Sequence, residues 1–337
     1  MPLAIDVHAH ASPAIADLVA MREVDSGAVP EVERDGAMVY FRYRDGTVNG
    51  PAPRGIVDVE HRLEDMERTG VAHQVISARP RFFTYDLGAE PAAQLAALTN
   101  DSLVAMASTA PEALSVMISL PLQSAEESVR EVTRWAPNPL VRGVLVDSNI
   151  AGRDYADSEL APVWAALEAA DLPVLVHPYQ ADVVGRDRLQ KHYLFNLIGN
   201  PADTTIAIGN VVFGGLLDLY PALRWGFVHG GGVAPYLAGR WDHGWRHRAT
   251  TREKIEHTPP SELLRRLWFD CIVHEPAALH FLADRVGWDR IMLGTDYPFD
   301  MGYQDPMGFI DSARLDAGQR AAVLNENQAR FLRARHS

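Results

Sequence analysis

Eight short apolar runs recur along this chain, each separated from the next by a longer stretch, and this alternation constrains the fold more than any other feature. The runs are Leu3–Val7, Ala72–Ser77, Ser115–Leu120, Gly143–Val146, Val174–Val176, Trp225–Val228, Leu267–Phe269 and Ile291–Leu293. Short, almost uninterrupted apolar runs read as parallel strands buried on both faces. Helical patterns between them are clearest at Asp58–Thr69, Pro91–Thr109, Ser124–Ala136, Glu159–Ala170, Pro221–Arg224 with the segment before it, Pro235–Arg248 and Ala277–Val286. A last helix is expected over Asp316–Ala334. Eight strand–helix units predict an α/β fold, a (β/α)8 barrel, rather than an open sheet. An open nucleotide-binding sheet would call for GxGxxG after a strand, and none is present. The 337 residues suit one barrel domain spanning 1–337.

One segment breaks the alternation. Residues 12–53 lie between the first strand and its helix. They contain a possible hairpin, Ala37–Tyr43 and Thr47–Val48, turned at Asp45-Gly46. This insertion is expected to cap the active-site end of the barrel.

The strand ends carry the chemistry. His8 and His10 are two apart on an extended segment, so both side chains share one face, the interior in a barrel. His177, His229 and Asp296 each stand where an apolar run stops. In such barrels catalytic groups come from the carboxyl ends of several strands. Two inward imidazoles with no cation between them would be poorly satisfied. Imidazole and carboxylate donors suit zinc, with manganese or iron as options. The fourth strand ends at Asp147 and offers no lysine to bridge two metals, which favours a single ion. Cys271 is the one cysteine, so a thiolate zinc site and an intrachain disulfide are excluded. It reads as a small buried hydrophobe. A net charge of −13 argues against a non-specific nucleic-acid binder. The start, MPLAIDVHAH, does not read as a signal peptide, and no apolar run approaches the roughly 20 residues of a membrane span. A soluble cytoplasmic protein is the expectation.

DVHAH, LVHPY, VHGGGVAPYLAGR and LGTDYPFD resemble the motifs of the amidohydrolase-2 family, and the likeness runs through nearly the whole chain. The Gly230-Gly231-Gly232 run and Gly239-Arg240-Trp241-Asp242-His243-Gly244 are more specific to its decarboxylase branch. The resemblance implies one zinc ion held by His8, His10, His177 and Asp296, with Asp296 also in the catalytic set and His229 as the acid–base histidine. It implies Arg42 and Arg240 as substrate-carboxylate contacts, Arg240 reaching the neighbouring subunit's site in a homodimer, and Arg248 as a further arginine near them. Arg79 and Arg81 depart from the family pattern, as do Tyr179 and Asp300. Arg79 is a candidate substrate contact or a partner for a loop carboxylate, whereas Arg81 is expected in solvent. Phe83, with Tyr85, either walls the pocket or packs. His243 and His247 are expected to be structural or solvent-facing, and His274 stands near the end of the seventh strand, where a side chain can approach the cleft. The implied activity is metal-dependent, non-oxidative decarboxylation of an unsaturated or aromatic acid, such as a carboxymuconate semialdehyde or a hydroxybenzoate. Hydrolysis of an amide, lactone or ester, or hydration of an unsaturated diacid, are the alternatives. A binding protein on a retired barrel would have lost one of the five site positions, and all five are filled.

Overall fold

The computed structural model describes residues 3–179 and 183–333. The eight expected strands form one parallel sheet. They are β1 (Ile5–Ala11), then, after the insertion's own three strands, β5 (His73–Ala78), β6 (Leu114–Ser119), β7 (Val141–Asp147), β8 (Val174–His177), β9 (Trp225–Phe227), β10 (Trp268–Asp270) and β11 (Ile291–Met292). Neighbours in the sheet are neighbours in sequence order. The ring closes where the segment after β11 meets β1: Val7 N donates to Leu293 O at 3.0 Å, Asp296 N to His8 O at 2.8 Å and His10 N to Tyr297 O at 2.6 Å. The fold is a (β/α)8 barrel.

The strands are almost wholly buried, as their apolar runs require. Helices pack outside them. Helix Val59–Thr69 starts on the Asp58 side chain, which accepts from His61 N, and stops at Gly70, whose φ of 73° suits a residue without Cβ. On one flank Tyr155, Trp164 and Trp225 meet with ring centroids 5.0–5.7 Å apart.

Two expected helices differ from what the structure shows. Pro221–Arg224 is a turn; the helix of that unit is Asn200–Phe213, followed by the short Leu216–Leu219. Pro201 in the first turn of that helix carries no N–H, which costs nothing there. The closing helix is interrupted, as Ala317–Ala321, a π-type turn Ala322–Glu326 and Asn327–Phe331. Leu332 is extended, and Ala334 lies outside the described residues.

The insertion holds a helix, Ile15–Val24, and a separate antiparallel sheet of β2 (Glu31–Asp35), β3 (Met38–Arg42) and β4 (Val48–Pro53). The expected hairpin is β3 and β4, closed by Tyr43 N to Thr47 O at 2.9 Å. Val39, Phe41, Tyr43, Ala52 and Ile56 give this sheet its own small core. Among the described residues no helix is long and apolar enough to cross a membrane.

Candidate metal centre

Strand β1, the carboxyl ends of β8 and β9, and the segment after β11 bring His8, His10, His177, His229 and Asp296 to one place. His8 and His10 lie inside β1, which runs on past Val7, and a register shift between Asp6 and Ala9 falls beside His8. Their Nε2 atoms are 3.2 Å apart. Each is also close to Asp296 Oδ1, at 3.3 Å from His8 and 3.2 Å from His10. Ligand atoms of His8, His177, His229 and Asp296 all lie within 4.8 Å of one another. The His10 and His177 rings meet at 4.8 Å.

What holds each ring decides what it can do. His8 Nδ1 donates to Asp270 Oδ2 at 2.8 Å, His10 Nδ1 to the Ala78 carbonyl at 3.2 Å and His177 Nδ1 to the Pro178 carbonyl at 2.8 Å. Every acceptor fixes a proton on Nδ1, so the Nε2 of each ring is left facing the centre. Metal-binding histidines are oriented this way. His177 Nε2 and Asp296 Oδ1 are buried without a hydrogen-bond partner. His229 differs: its Nδ1 is buried and unpartnered, and its Nε2 lies 3.7 Å from Asp296 Oδ2. Asp296 thus divides its oxygens, Oδ1 toward His8 and His10, Oδ2 toward His229. His229 and Asp296 both have positive φ, 54° and 56°, a conformation non-glycine residues rarely adopt and one that collects at functional sites.

The charges call for a cation at the same point. Burial would raise the Asp296 carboxyl, but the charge on His8 and hydrogen bonds from the surrounding imidazoles hold it well below the usual carboxylate range. Burial opposes charge on His8, yet Asp296 and Asp270 outweigh it and raise that imidazole to about 10. Burial depresses His10, and burial with the neighbouring imidazoles holds His177 well below its ordinary value. A positive charge therefore sits between two buried carboxylates. With His8 neutral, one divalent cation balances Asp270 and Asp296 and gives the orphaned Nε2 and Oδ1 atoms a partner. The residues fit a divalent metal ion.

Asp270, which sequence reasoning passed over, ties the centre together. Oδ2 holds His8, while Oδ1 accepts from Gly230 N at 2.9 Å and Ile272 N at 3.1 Å. The same carboxylate thus orients an imidazole donor and the glycine loop that carries His229. Its signal was available: an aspartate where the seventh apolar run stops. Asp6 is not at the centre. It accepts from His8 N, Thr295 N, Thr295 Oγ1 and Gln74 Nε2, and so joins β1 to the segment bearing Asp296. Gly294 is required between them, because a Cβ there would come within 2.8 Å of Asp270 Cβ and 3.0 Å of His8 Cβ.

A cavity of about 740 Å³ opens onto the cluster, walled by His177, His229 and Asp296 below and by Met38, Phe41 and Pro51 of the insertion above. Arg79, Arg81, Tyr179 and Asp300 line it too. Other candidates stand elsewhere. Phe83, just after the 3-10 turn Pro80–Phe82, is packed in the core, stacked on Tyr85 at 5.8 Å, and does not line the cavity. Arg42 is exposed at the end of β3 and paired with Glu33; strand alternation puts it opposite buried Phe41. Arg240 and Arg248 are exposed on and just after helix Ala234–His247. His243 and His247 face each other, exposed, on that helix. His274 packs against Tyr303 and does not line the cavity. Cys271 is buried.

The fold and the centre define a metal-dependent hydrolase-type barrel, and residues 5–334 match the amidohydrolase family; the chain belongs to it. It is 34% identical over 276 residues to the 2-amino-3-carboxymuconate-6-semialdehyde decarboxylase of Dictyostelium discoideum, covering 82% of this chain and 76% of that protein. The Caenorhabditis elegans protein of the same name is 28% identical over 97% of this chain and 94% of its own length. In structure the chain is similar to the 5-carboxyvanillate decarboxylase of Novosphingobium aromaticivorans, solved with manganese and 4-hydroxy-3-methoxy-5-nitrobenzoic acid. That match has a TM-score of 0.81 and 19% identity, over 98% of this chain and 96% of the other.

Proposed function

We propose that this chain is a divalent-metal-dependent, non-oxidative decarboxylase of unsaturated or aromatic carboxylic acids, the class of carboxymuconate semialdehydes and hydroxybenzoates. The observation that carries the reading is the contrast among the imidazoles: three are anchored at Nδ1, and the fourth, His229, has an unpartnered Nδ1 beside them. His8, His10, His177 and Asp296 are the ligands, and His229 is the acid–base group. The donor set suits zinc; manganese, the ion in the carboxyvanillate decarboxylase structure, is the alternative. Bound there, the ion would draw electron density from a substrate oxygen and acidify water near neutral pH.

The chain's own residues do the rest. His229 Nε2 gives a proton to the substrate carbon that bears the carboxylate, forming a C–H bond. The C–C bond to the carboxylate then breaks, its electron pair restores the conjugated system and CO2 leaves. Asp296 Oδ2, 3.7 Å away, stabilises the imidazolium before transfer. The His229 side chain keeps 17% of its surface open, so it is reprotonated from the cavity. The insertion forms the upper wall of the cavity in which these charges interact.

The reading includes a homodimer. Val233, Tyr236, Leu197 and Ile198 are exposed large apolar residues, Tyr236 at 77%, and Arg240 lies one helical turn beyond Tyr236. Pairing helix Ala234–His247 with a second copy would bury Tyr236 and bring Arg240 against the partner subunit.

The test is CO2 release from carboxymuconate semialdehyde and from hydroxybenzoates by metal-reconstituted protein. Ester or lactone opening with no CO2 from any acid would replace this reading with the hydrolase one.

A further inference from the structure

The cavity holds a cation that the metal chemistry does not use. Arg79 directly follows β5 and is 4% exposed. Its guanidinium lies 3.7 Å over the Phe41 ring, which clamps it to the insertion. Nη1 is buried without a hydrogen-bond partner, and Arg79 forms no ion pair among the described residues. The polar groups around it are the Tyr43 phenol, which lies close enough to interact with the guanidinium, the Tyr179 phenol and the like charge of Arg81, and none of them brings a counter-charge. Arg81 is otherwise engaged, 3.7 Å over the Tyr43 ring with Nη2 3.6 Å from Asp45.

Arg62, also fully buried, shows what a structural arginine looks like in this fold. It donates to Gly55 O at 3.1 Å, Gln74 Oε1 at 2.8 Å and His10 O at 2.6 Å. Arg79 has no such set, and an arginine stays charged even when buried. A buried charge without a partner is unfavourable unless something else supplies the counter-charge. Arg79 lines the same cavity as His177, His229 and Asp296, so the counter-charge can arrive with the substrate. Asn200, also on that wall, has a buried Oδ1 without a partner, which can accept from a hydroxyl or amino hydrogen of the same guest but not from its carboxylate.

We propose that Arg79 is a specificity-determining residue that binds a second carboxylate of the substrate, the one retained in the product, while the first sits at the imidazole cluster. This rests on the decarboxylase reading for which carboxylate departs, but its binding claim stands apart from turnover. On this proposal the substrate carries two carboxylates, one at each end of the cavity.

Isothermal titration of the metal-loaded protein tests it with isophthalate, terephthalate and trans,trans-muconate, each against its own half-amide. At least one diacid binds about tenfold or more tighter than its half-amide, the size expected of a charge-assisted fork to carboxylate. Arg79→Met removes that preference, leaving the half-amide within about twofold of wild type, and Arg79→Lys retains part of it. A purely structural Arg79 would weaken diacid and half-amide alike. If Arg79→Met does not fold, the wild-type ratios and Arg79→Lys still decide. No preference for any diacid, or a preference that survives Arg79→Met, overturns the proposal. CO2 release from monoacids without that preference would overturn it while leaving the decarboxylase reading intact. The preference without CO2 release would do the reverse.

Discussion

Replacing Asp270 by asparagine keeps the side chain's shape and divides its function. The native carboxylate accepts from three donors, His8 Nδ1 at 2.8 Å, Gly230 N at 2.9 Å and Ile272 N at 3.1 Å. An asparagine has one oxygen. If that oxygen keeps His8, the amide NH2 faces two backbone N–H groups; if it keeps the backbone, NH2 faces the His8 Nδ1–H. One side of the bridge breaks in either rotamer, and the charge opposite His8 is lost in both. Changes to an outer-shell partner of this kind weaken metal binding by about 10–100-fold, roughly 1.4–2.7 kcal/mol. Competition against a fluorescent chelator measures the affinity, and thermal unfolding in the same buffer shows whether the fold survives. Activity at saturating metal should also stay below wild type, because the loop carrying His229 has lost its tether. Metal affinity within about twofold of wild type, with full activity, would refute the bridging role.

His229→Ala should retain the metal and lose about a hundredfold to ten-thousandfold in turnover; an emptied site by metal analysis would make His229 a ligand instead. Gly294→Ala forces a Cβ to 2.8 Å from Asp270 Cβ and should cost about 1–3 kcal/mol in thermal unfolding, with weaker metal binding. An unchanged midpoint would show that the strand end can give way. In the metal-free protein His8 keeps its proton up to about 10, since Asp296 and Asp270 outweigh burial. Metal has to displace that proton, so apparent affinity should rise with pH, about tenfold per unit between roughly pH 6 and 9 for one proton. A flat profile would count against His8 Nε2 as a donor.

The fold was legible because buried parallel strands are apolar on both faces and stand out from their flanks. All eight are present, displaced by a residue or a few at their ends. The centre was legible for the same reason: His177, His229 and Asp296 are polar groups at the places where those runs stop. The insertion was only half legible. Glu31–Asp35 pairs as β2 although most of it is exposed and it carries no apolar alternation, and Pro51 and Pro53 hid the length of β4. Sequence spacing could not tell Arg42 from Arg79. One faces outward beside Glu33 and the other inward over Phe41, a difference set by which face of the small sheet meets the barrel. Phe83 was undecidable for the same reason, since a turn residue's direction is a tertiary property.

Anomalous diffraction at the metal edge, from crystals of the protein as purified, tests the central claim most directly. The account predicts one ion, about 2.0–2.2 Å from Nε2 of His8, His10 and His177 and from a carboxylate oxygen of Asp296, with His229 outside bonding distance. A peak bonded to His229 in place of His10, or no ion among these residues in a protein that is fully active, would contradict it.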